Sequence, residues 1–216
     1  MHRSYRSPSC TKCSAETPVA SFDFHNRNHQ AQPSLAKPEL SSSSHRFVMR
    51  LCKIALLAAA AFHLLLVVFN NVVDYPSNYR FVQHVLGMDT LFSGEAQTWR
   101  ALRPPAVAGT SSWPLHAAYV GIIVWEGIAC SLIALGAVRL WSLRNAPAKD
   151  FNAAKTLGTV GLTASLLLWF FAFISIGAEW FLMWQSKSWN GLDAASRLFA
   201  CQGIILLFLN QRDEDS

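Results

Sequence analysis

Charged residues are scarce in this chain of 216 residues. Asp, Glu, Lys and Arg make up 14% of it, against about 25% in an ordinary soluble domain. Hydrophobic residues reach 52%, which is too apolar a balance for such a domain. The formal net charge is +5, but the basic residues are dispersed along the chain instead of forming one patch. We therefore expect no nucleic-acid partner.

Cysteine is also sparse, and the predicted outer loops contain no pair that an oxidising compartment would join. Cys52, Cys130 and Cys201 lie in or beside apolar segments, where free cysteine usually behaves as a small apolar residue. A thiol oxidoreductase is therefore disfavoured. Cys10 and Cys13 form a C-x-x-C motif, but a structural zinc site needs four ligands and the nearest candidates are isolated histidines. We predict no metal site.

Recognisable catalytic motifs are missing as well. The sequence has no nucleophile motif, no phosphate-binding loop and no H-E-x-x-H pair. Haem is not expected, because neither His84 nor His116 lies at the depth of His63 to supply a second axial ligand. We predict no cofactor, and an enzymatic activity has no support in the sequence.

What the chain does have is four long apolar segments, at about 53–74, 114–138, 156–184 and 192–210. A helix needs about 20 apolar residues to cross a hydrocarbon core of about 30 Å. The fourth segment reaches that length only if it begins at Leu192. Strands are excluded because they would leave backbone groups unpaired in lipid. The sequence predicts an all-α, polytopic membrane protein with four transmembrane helices in a bundle.

The predicted membrane domain covers residues 49–211 and is flanked by two polar segments. Residues 1–48 are rich in Ser, Pro, Asn and His, which is typical of a disordered extension. Because Met49 begins a short basic stretch followed by an apolar helix, the extension is alternatively the product of a start codon assigned too far upstream. Residues 212–216 form an acidic tail.

Basic residues indicate the orientation. They flank the first segment and crowd the connection between the second and third, at Arg46, Arg50, Lys53, Arg139, Arg144, Lys149 and Lys155. Since cytoplasmic loops carry the excess of Lys and Arg, we expect both termini in the cytoplasm.

The loop between the first two segments has the pattern of a short amphipathic helix at the membrane surface. Its apolar side comprises Phe81, Val82, Val85, Leu86, Met88 and Phe92. The opposite side carries Arg80, Gln83, His84 and Asp89. Ser77 or Asn78 is the expected N-cap.

Aromatic residues concentrate at the predicted outer boundary, at Tyr75, Tyr79, Trp99, Trp113, Trp180, Trp184 and Trp189. One interpretation is the interfacial aromatic belt. The other is a binding mouth in which rings and carboxylates hold a cationic or lipid-headgroup ligand. Its candidate residues, which we name the outer cluster, are Asp74, His84, Asp89, Arg100, Glu179, Trp180 and Trp184. A salt-bridged lid is favoured over catalysis for this cluster.

Ionisable residues inside the apolar segments are the second candidate site, because a charge at the bilayer centre costs at least about 2.5 kcal/mol and usually has a partner. Counting from the membrane boundaries, we expect His63, Glu126 and Gln202 to meet near the midplane and to share a hydrogen-bonded proton. The alternative for Glu126 is a protonated carboxyl group that joins two helices.

Several blocks from Met49 onward carry a family resemblance: NNVVDYPSNYRFVQHVLGMDTLF, WRAL, VWEGI and LLWFFAFISIGAEWFLMWQSKSWNG. On these blocks the chain resembles the bacterial predicted small integral membrane proteins, a family of unknown function. The resemblance implies a four-helix inner-membrane protein and transfers no catalytic or binding residue.

Two functions follow as hypotheses. The first is an accessory or structural inner-membrane component that contacts the lipid bilayer and assembles with another membrane protein or with a second copy. The alternative is a small transporter in which Glu126 binds a proton or a cation.

Overall fold

The computed structural model describes residues 39–102 and 112–214, and within these ranges the chain is helical, with no strand. The α-helices are α1 (Glu39–Val73), α2 (Tyr75–Gly87), α3 (Trp113–Ser142), α4 (Ala148–Ala154), α5 (Thr156–Leu167) and α6 (Leu192–Asn210). A π-helix spans Leu168–Trp180, and two short 3-10 helices span Ala96–Arg100 and Met183–Gln185.

Four of the described helical segments are long and apolar enough to cross a membrane: Ser43–Val73, Trp113–Ser142, Ala148–Trp180 and Leu192–Asn210. The predicted fold class is therefore confirmed. The third segment consists of α4, α5 and the π-helix in succession, so it begins eight residues before the predicted start at 156.

The predicted boundary at residue 49 falls inside a helix, because α1 already begins at Glu39. Residues 43–48 are largely polar and exposed, and a polar helical turn that precedes an apolar helix leaves no apolar period in the sequence. The prediction of disorder for residues 1–38 lies outside the described residues, as do the last two residues of the acidic tail.

The helices pack in a closed order in which α3 contacts α1 and α5, and α6 contacts α5, the π-helix and α1. A common core of buried apolar residues joins them, including Leu57, Leu64, Ile133, Leu140 and Leu162. This core places the interior faces of all four spans against one another.

Helices α3 and α5 approach each other closely at Gly136 and Gly158. A Cβ atom added to Gly136 would lie 2.5 Å from the nitrogen and 2.8 Å from the Cα of Gly158. The two backbones are therefore in direct contact, as small residues permit in membrane helix pairs.

Helix α2 contacts α3 and α1, and it confirms the predicted short amphipathic helix in the loop after the first span. It buries Val82 and Val85, which belong to a second apolar cluster with Met88, Phe181 and Met183. The expected N-cap is wrong: α2 begins at Tyr75, directly after Asp74. Pro76, which sits in the first turn, favours that earlier start because its fixed φ suits a helix N-terminus.

The π-helix is long for its kind, since π geometry mostly occurs as single turns. Its end shows the characteristic i to i−5 spacing, because the N–H of Phe181 donates to the carbonyl oxygen of Ile176 over 3.0 Å. Leu182, which follows, has a φ of 54°, in the left-handed region. Together with α2, this segment contributes to the second apolar cluster.

The opposite, basic end is closed by the acidic tail. The Asp213 carboxylate accepts hydrogen bonds from Lys53 Nζ at 2.7 Å and Lys155 Nζ at 2.5 Å. Both lysines are buried. Burial alone would raise the pKa of the Asp213 carboxyl, but the hydrogen bonds from Lys155 and Lys53 outweigh it and hold that pKa below its usual value. The tail is thus tied to both α1 and the start of α5.

Candidate functional site

The intramembrane site centres on Glu126, which exposes 1% of its surface. Asn71 Nδ2 of α1 donates a hydrogen bond of 2.7 Å to Glu126 Oε2 of α3. The Tyr119 hydroxyl, one further residue of α3, donates to the backbone oxygen and to the Oδ1 atom of Asn71, over 3.0 and 3.2 Å. Asn71 is therefore held on both sides by α3, and the three residues form one network.

Side-chain direction explains why these residues meet. Side chains in helices point toward the N-terminus of their own helix. Helices α1 and α3 are antiparallel, because Tyr119 contacts Asn71 while Cys130 Sγ, further along α3, donates to the carbonyl oxygen of Ala61 over 3.4 Å. The side chains of Asn71 and Glu126 therefore point toward each other along the interface.

His63 does not take part in this network. The two contacts that fix the register place His63 close to the level of Glu126, as the counting from the sequence expected, but on another face. Helix α1 buries Ala60, Ala61 and Leu64, whereas the side chain of His63 is exposed. The expected meeting of the two is thus replaced by the contact between Asn71 and Glu126.

Gln202 of α6 is buried, with 3% of its surface exposed. Neither polar atom of its amide has a hydrogen-bond partner among the described residues. Helix α6 packs on α5 and the π-helix, so Gln202 is enclosed within the bundle but is not hydrogen-bonded to Glu126.

Asn71 was missed by the sequence reasoning, although the sequence carries a signal for it. Leu57 and Leu64 are buried, and Asn71 follows them at the same interval of seven residues, which places all three on one helix face. A polar residue on the face that continues a buried apolar stripe predicts a polar partner on the neighbouring helix.

The outer cluster is divided into separate contacts. His84 Nδ1 lies 2.8 Å from Asp89 Oδ2, and the His84 ring stacks on Trp189 at 4.5 Å between centroids. Arg100 donates from Nη1 to the carbonyl oxygen of Trp180 over 2.9 Å.

Arg100 also stacks on Trp180, whereas Asp74, Glu179 and Trp184 lie apart from these contacts. The Arg100 guanidinium lies 4.6 Å from the centre of the Trp180 ring, while Trp184 packs edge-on against Phe92 at 6.0 Å. Asp74 and Glu179 are exposed. The described residues therefore give two local pairs, His84 with Asp89 and Arg100 with Trp180, instead of one polar site.

Gln185, which the sequence reasoning did not single out, holds the outer loop in place. It is buried and donates from Nε2 to Glu95 Oε2 over 3.0 Å. Its Oε1 atom accepts the backbone N–H of Phe92 at 3.3 Å. The hydrogen bonds from Gln185 and from the backbone N–H of Gln97 lower the pKa of Glu95.

An apolar cavity of about 320 Å³ lies beneath α2, between α3 and the π-helix. Its lining includes Val82, Trp125, Phe171 and Gly177. The cavity is bounded by side chains without ionisable groups, so it contains no acid or base for catalysis among the described lining residues.

Comparison with known proteins agrees with this geometry. No curated protein and no solved structure matches the chain. A family model described as predicted small integral membrane protein (DUF2165) matches residues 49–212, the range over which the sequence blocks carried the resemblance. Since the match covers most of the chain, the protein belongs to this family of small integral membrane proteins.

Proposed function

We propose that the protein is an accessory or structural component of the inner cell membrane, with both termini in the cytoplasm. Its partner is another membrane protein or a second copy of the chain. The observation that carries this proposal is the enclosure of Glu126, whose carboxyl group joins α3 to α1 through Asn71. An intramembrane acid used in this way stabilises a helix bundle and needs no chemistry.

The arrangement of charge supports the proposed orientation. Arg50, Lys53, Arg144 and Lys155 lie at the end of the bundle where the tail is bound. Cytoplasmic loops are the ones enriched in Lys and Arg. The outer segment, by contrast, pairs His84 with Asp89 and Gln185 with Glu95.

The outer surface supplies a contact area for a partner. Trp99 is 74% exposed, and Phe92, Trp180 and Trp184 are exposed beside it in the outer segment. Trp99 packs edge-on against Trp180 at 6.4 Å. Exposed aromatic rings on an ordered segment are typical of interface hot spots; the membrane headgroup layer is the competing environment for these rings.

The transporter hypothesis gains no support from the geometry. A carboxylate that exchanges protons or cations needs contact with water on at least one side of the membrane. Glu126 is instead buried, with Asn71 on its Oε2 atom. An accessory role depends on the hydrogen bond between Asn71 and Glu126 and does not require it to break.

The test is native purification from the membrane in mild detergent, followed by mass spectrometry of whatever protein accompanies the chain. An accessory role predicts a stoichiometric partner protein or a second copy, retained in Glu126→Gln. We expect Trp99→Ala combined with Trp184→Ala to release it, whereas Trp141→Ala, an exposed tryptophan at the opposite end, keeps it. A protein that purifies alone and loses proton-coupled solute movement in Glu126→Gln would contradict the proposal.

A further inference from the structure

Three polar side chains of the third and fourth spans are buried without a hydrogen-bond partner. Ser165, Trp169 and Gln202, which we name the polar triad, expose 0%, 5% and 3% of their surface. Ser165 Oγ, Trp169 Nε1 and both polar atoms of the Gln202 amide lack a partner among the described residues. Buried polar groups are nearly always hydrogen-bonded, and within a membrane span an unpaired one is especially unfavourable. These four atoms therefore point to a ligand.

Two contacts fix how α6 lies along α5 and the π-helix. A Cβ atom added to Gly203 of α6 would lie 3.9 Å from Leu166 Cδ2 of α5. The rings of Phe199 in α6 and Phe170 in the π-helix lie 5.4 Å apart between centroids. The two segments are therefore antiparallel, with residues 199–203 beside residues 166–170.

The polar triad lies on the buried side of this stretch. Gln202, Ser165 and Trp169 each precede a residue of these contacts by one position. One step back along a helix turns the side chain by about 100°, and in two antiparallel helices that face each other both turns go to the same side. That side is the interior, because the triad is buried whereas Phe170 is 49% exposed. The four unpaired atoms thus share one level and one side of the interface.

The change from α to π geometry falls inside the polar triad. Helix α5 ends at Leu167 and the π-helix begins at Leu168, between Ser165 and Trp169. Single turns of π-helix are frequent at functional sites, and water is among the groups that enter a helical hydrogen-bond ladder where it is disturbed. This transition is a second observation, independent of burial, at the same place.

We propose that the polar triad binds ordered water inside the bundle. The Trp169 indole N–H only donates, the Gln202 amide donates and accepts, and the Ser165 hydroxyl does either. Water also donates and accepts, and a buried water makes about three hydrogen bonds to polar groups of this kind. One or a few molecules at this level join the third span to the fourth.

The donors of the polar triad do not suit an ion. The Trp169 N–H and the Gln202 amide N–H groups would direct their positive ends at a cation. An anion would need a positive partner, and Lys155, the buried cation of the same span, precedes Ser165 by ten residues, or about 15 Å along a helix. Lys155 is also bound to Asp213. An uncharged ligand that both donates and accepts is therefore favoured.

The site is tested by nuclear magnetic resonance on the full-length protein in detergent micelles, isotope-labelled at tryptophan, through magnetisation transfer from water to the indole N–H groups. Trp125 is the internal control, because its Nε1 atom donates to the carbonyl oxygen of Ala164, next to Ser165, over 3.0 Å. Trp169→Phe and Trp125→Phe assign the two signals. We expect an Overhauser effect with the sign of long-lived bound water at Trp169 and none at Trp125. Equal transfer to both indoles, or none to either, would overturn the proposal.

A double variant tests which residues hold the water. Gln202→Leu combined with Ser165→Ala removes the other partners of the water, so we expect the transfer to Trp169 to be lost. The matched control is Gln83→Leu combined with Ser131→Ala, which makes the same changes outside the polar triad and should keep the transfer. Ser131 is exposed and donates to the carbonyl oxygen of Gly127 in its own helix.

The Trp125 signal reports whether the double variant is folded, and the wild-type comparison decides the proposal even if that variant does not fold. Undiminished transfer to Trp169 in a folded double variant would overturn the assignment to the polar triad. Native mass spectrometry of the same samples identifies any other ligand. A small organic molecule retained by the wild type and lost from the double variant would overturn water as the occupant. The site does not depend on the accessory role or on the orientation.

Discussion

The Nδ2 atom of Asn71 donates a hydrogen bond of 2.7 Å to the Oε2 atom of Glu126 across the interface of α1 and α3. Each residue would be unfavourable alone in an apolar span, because an unpaired polar group in hydrocarbon costs several kcal/mol, on the order of a full desolvation penalty. Together they satisfy one another, and Tyr119 completes the contact from the same helix as Glu126.

We expect Asn71→Leu to lower the free energy of unfolding by about 1–3 kcal/mol, because it leaves the buried Glu126 carboxyl without its donor, while the Tyr119 hydroxyl keeps its backbone acceptor. Unfolding in detergent, followed by circular dichroism, measures the change. Asn70→Leu is the matched control, since Asn70 precedes Asn71 in α1 but has an exposed side chain. Equal effects of the two substitutions would show that the network contributes nothing.

Glu126→Gln should keep most of the stability, because the Gln oxygen still accepts from Asn71 Nδ2. Glu126→Leu should not, because it removes the acceptor and leaves the Asn71 amide unpaired. The same unfolding measurement applies to both. A Gln variant as unstable as the Leu variant would indicate that the negative charge, and not the hydrogen bond, is required.

The backbone contact between α3 and α5 gives a steric prediction. Gly136→Ala would place a methyl group 2.5 Å from the Gly158 nitrogen, so the helices must separate and we expect a loss of about 1–3 kcal/mol. Gly127→Ala in the same helix is the control, because nothing lies within 4 Å of the added Cβ. If both variants melt alike, the close approach is not important for stability.

The contacts of Asp213 predict that the stability of the bundle depends on the acidic tail. Asp213→Asn leaves the buried Lys53 and Lys155 without their carboxylate, and loss of one partner of a buried ion pair costs about 3–5 kcal/mol. Glu214→Gln, next to it in the tail but exposed, should have little effect. Thermal unfolding at neutral pH compares them, and a stable Asp213→Asn protein would argue against the tail as a structural element.

The same carboxyl predicts a pH dependence with a definite sign. Because the pKa of Asp213 is lowered in the folded chain, its contribution to stability is complete above the usual pKa of aspartate. It is lost as the pH falls through the lowered value. We expect the melting temperature of the wild type, but not of Asp213→Asn, to decrease over that acidic range. Parallel pH profiles would contradict this.

The hydrogen bonds of Gln185 to Glu95 and Phe92 predict that this residue orders the loop between α2 and α3. Gln185→Leu removes the donor to Glu95 and the acceptor of the Phe92 N–H, so amide hydrogen exchange should accelerate between Phe92 and Gln97. Since the pKa of Glu95 is lowered, protection corrected for intrinsic rates should also weaken as the pH falls below the usual range of glutamate. Gln83→Leu, in α2 and outside this contact, is the control, and identical exchange in the two variants would refute the assignment.

The spans, the amphipathic helix and the family could be predicted because each depends on a long pattern. A window of about 20 apolar residues is a strong signal, and the buried face of α2 repeats at helical spacing through Val82 and Val85. Local geometry was harder to predict: the start of α2 at Tyr75 and the π-helix depend on tertiary packing that a periodicity does not encode.

The sequence could predict how deep the candidate residues lie in the membrane, but not which helix face carries each side chain. Counting along the helices put His63 near the level of Glu126, yet a rotation of about 100° per residue separates His63 from the buried Leu64. The contact of Asp213 with Lys53 could not be predicted, because it joins residues 160 positions apart and no sequence pattern links them.

The binding of Asp213 by Lys53 also sets an order of assembly during synthesis. Lys53 leaves the ribosome 160 residues before Asp213, and at roughly 5–20 residues per second that is a wait on the order of ten seconds. Throughout this interval α1 is already available for insertion while the partner of its buried lysine has not been made. The contact of Asp213 with Lys53 therefore forms only after all four spans have been synthesised.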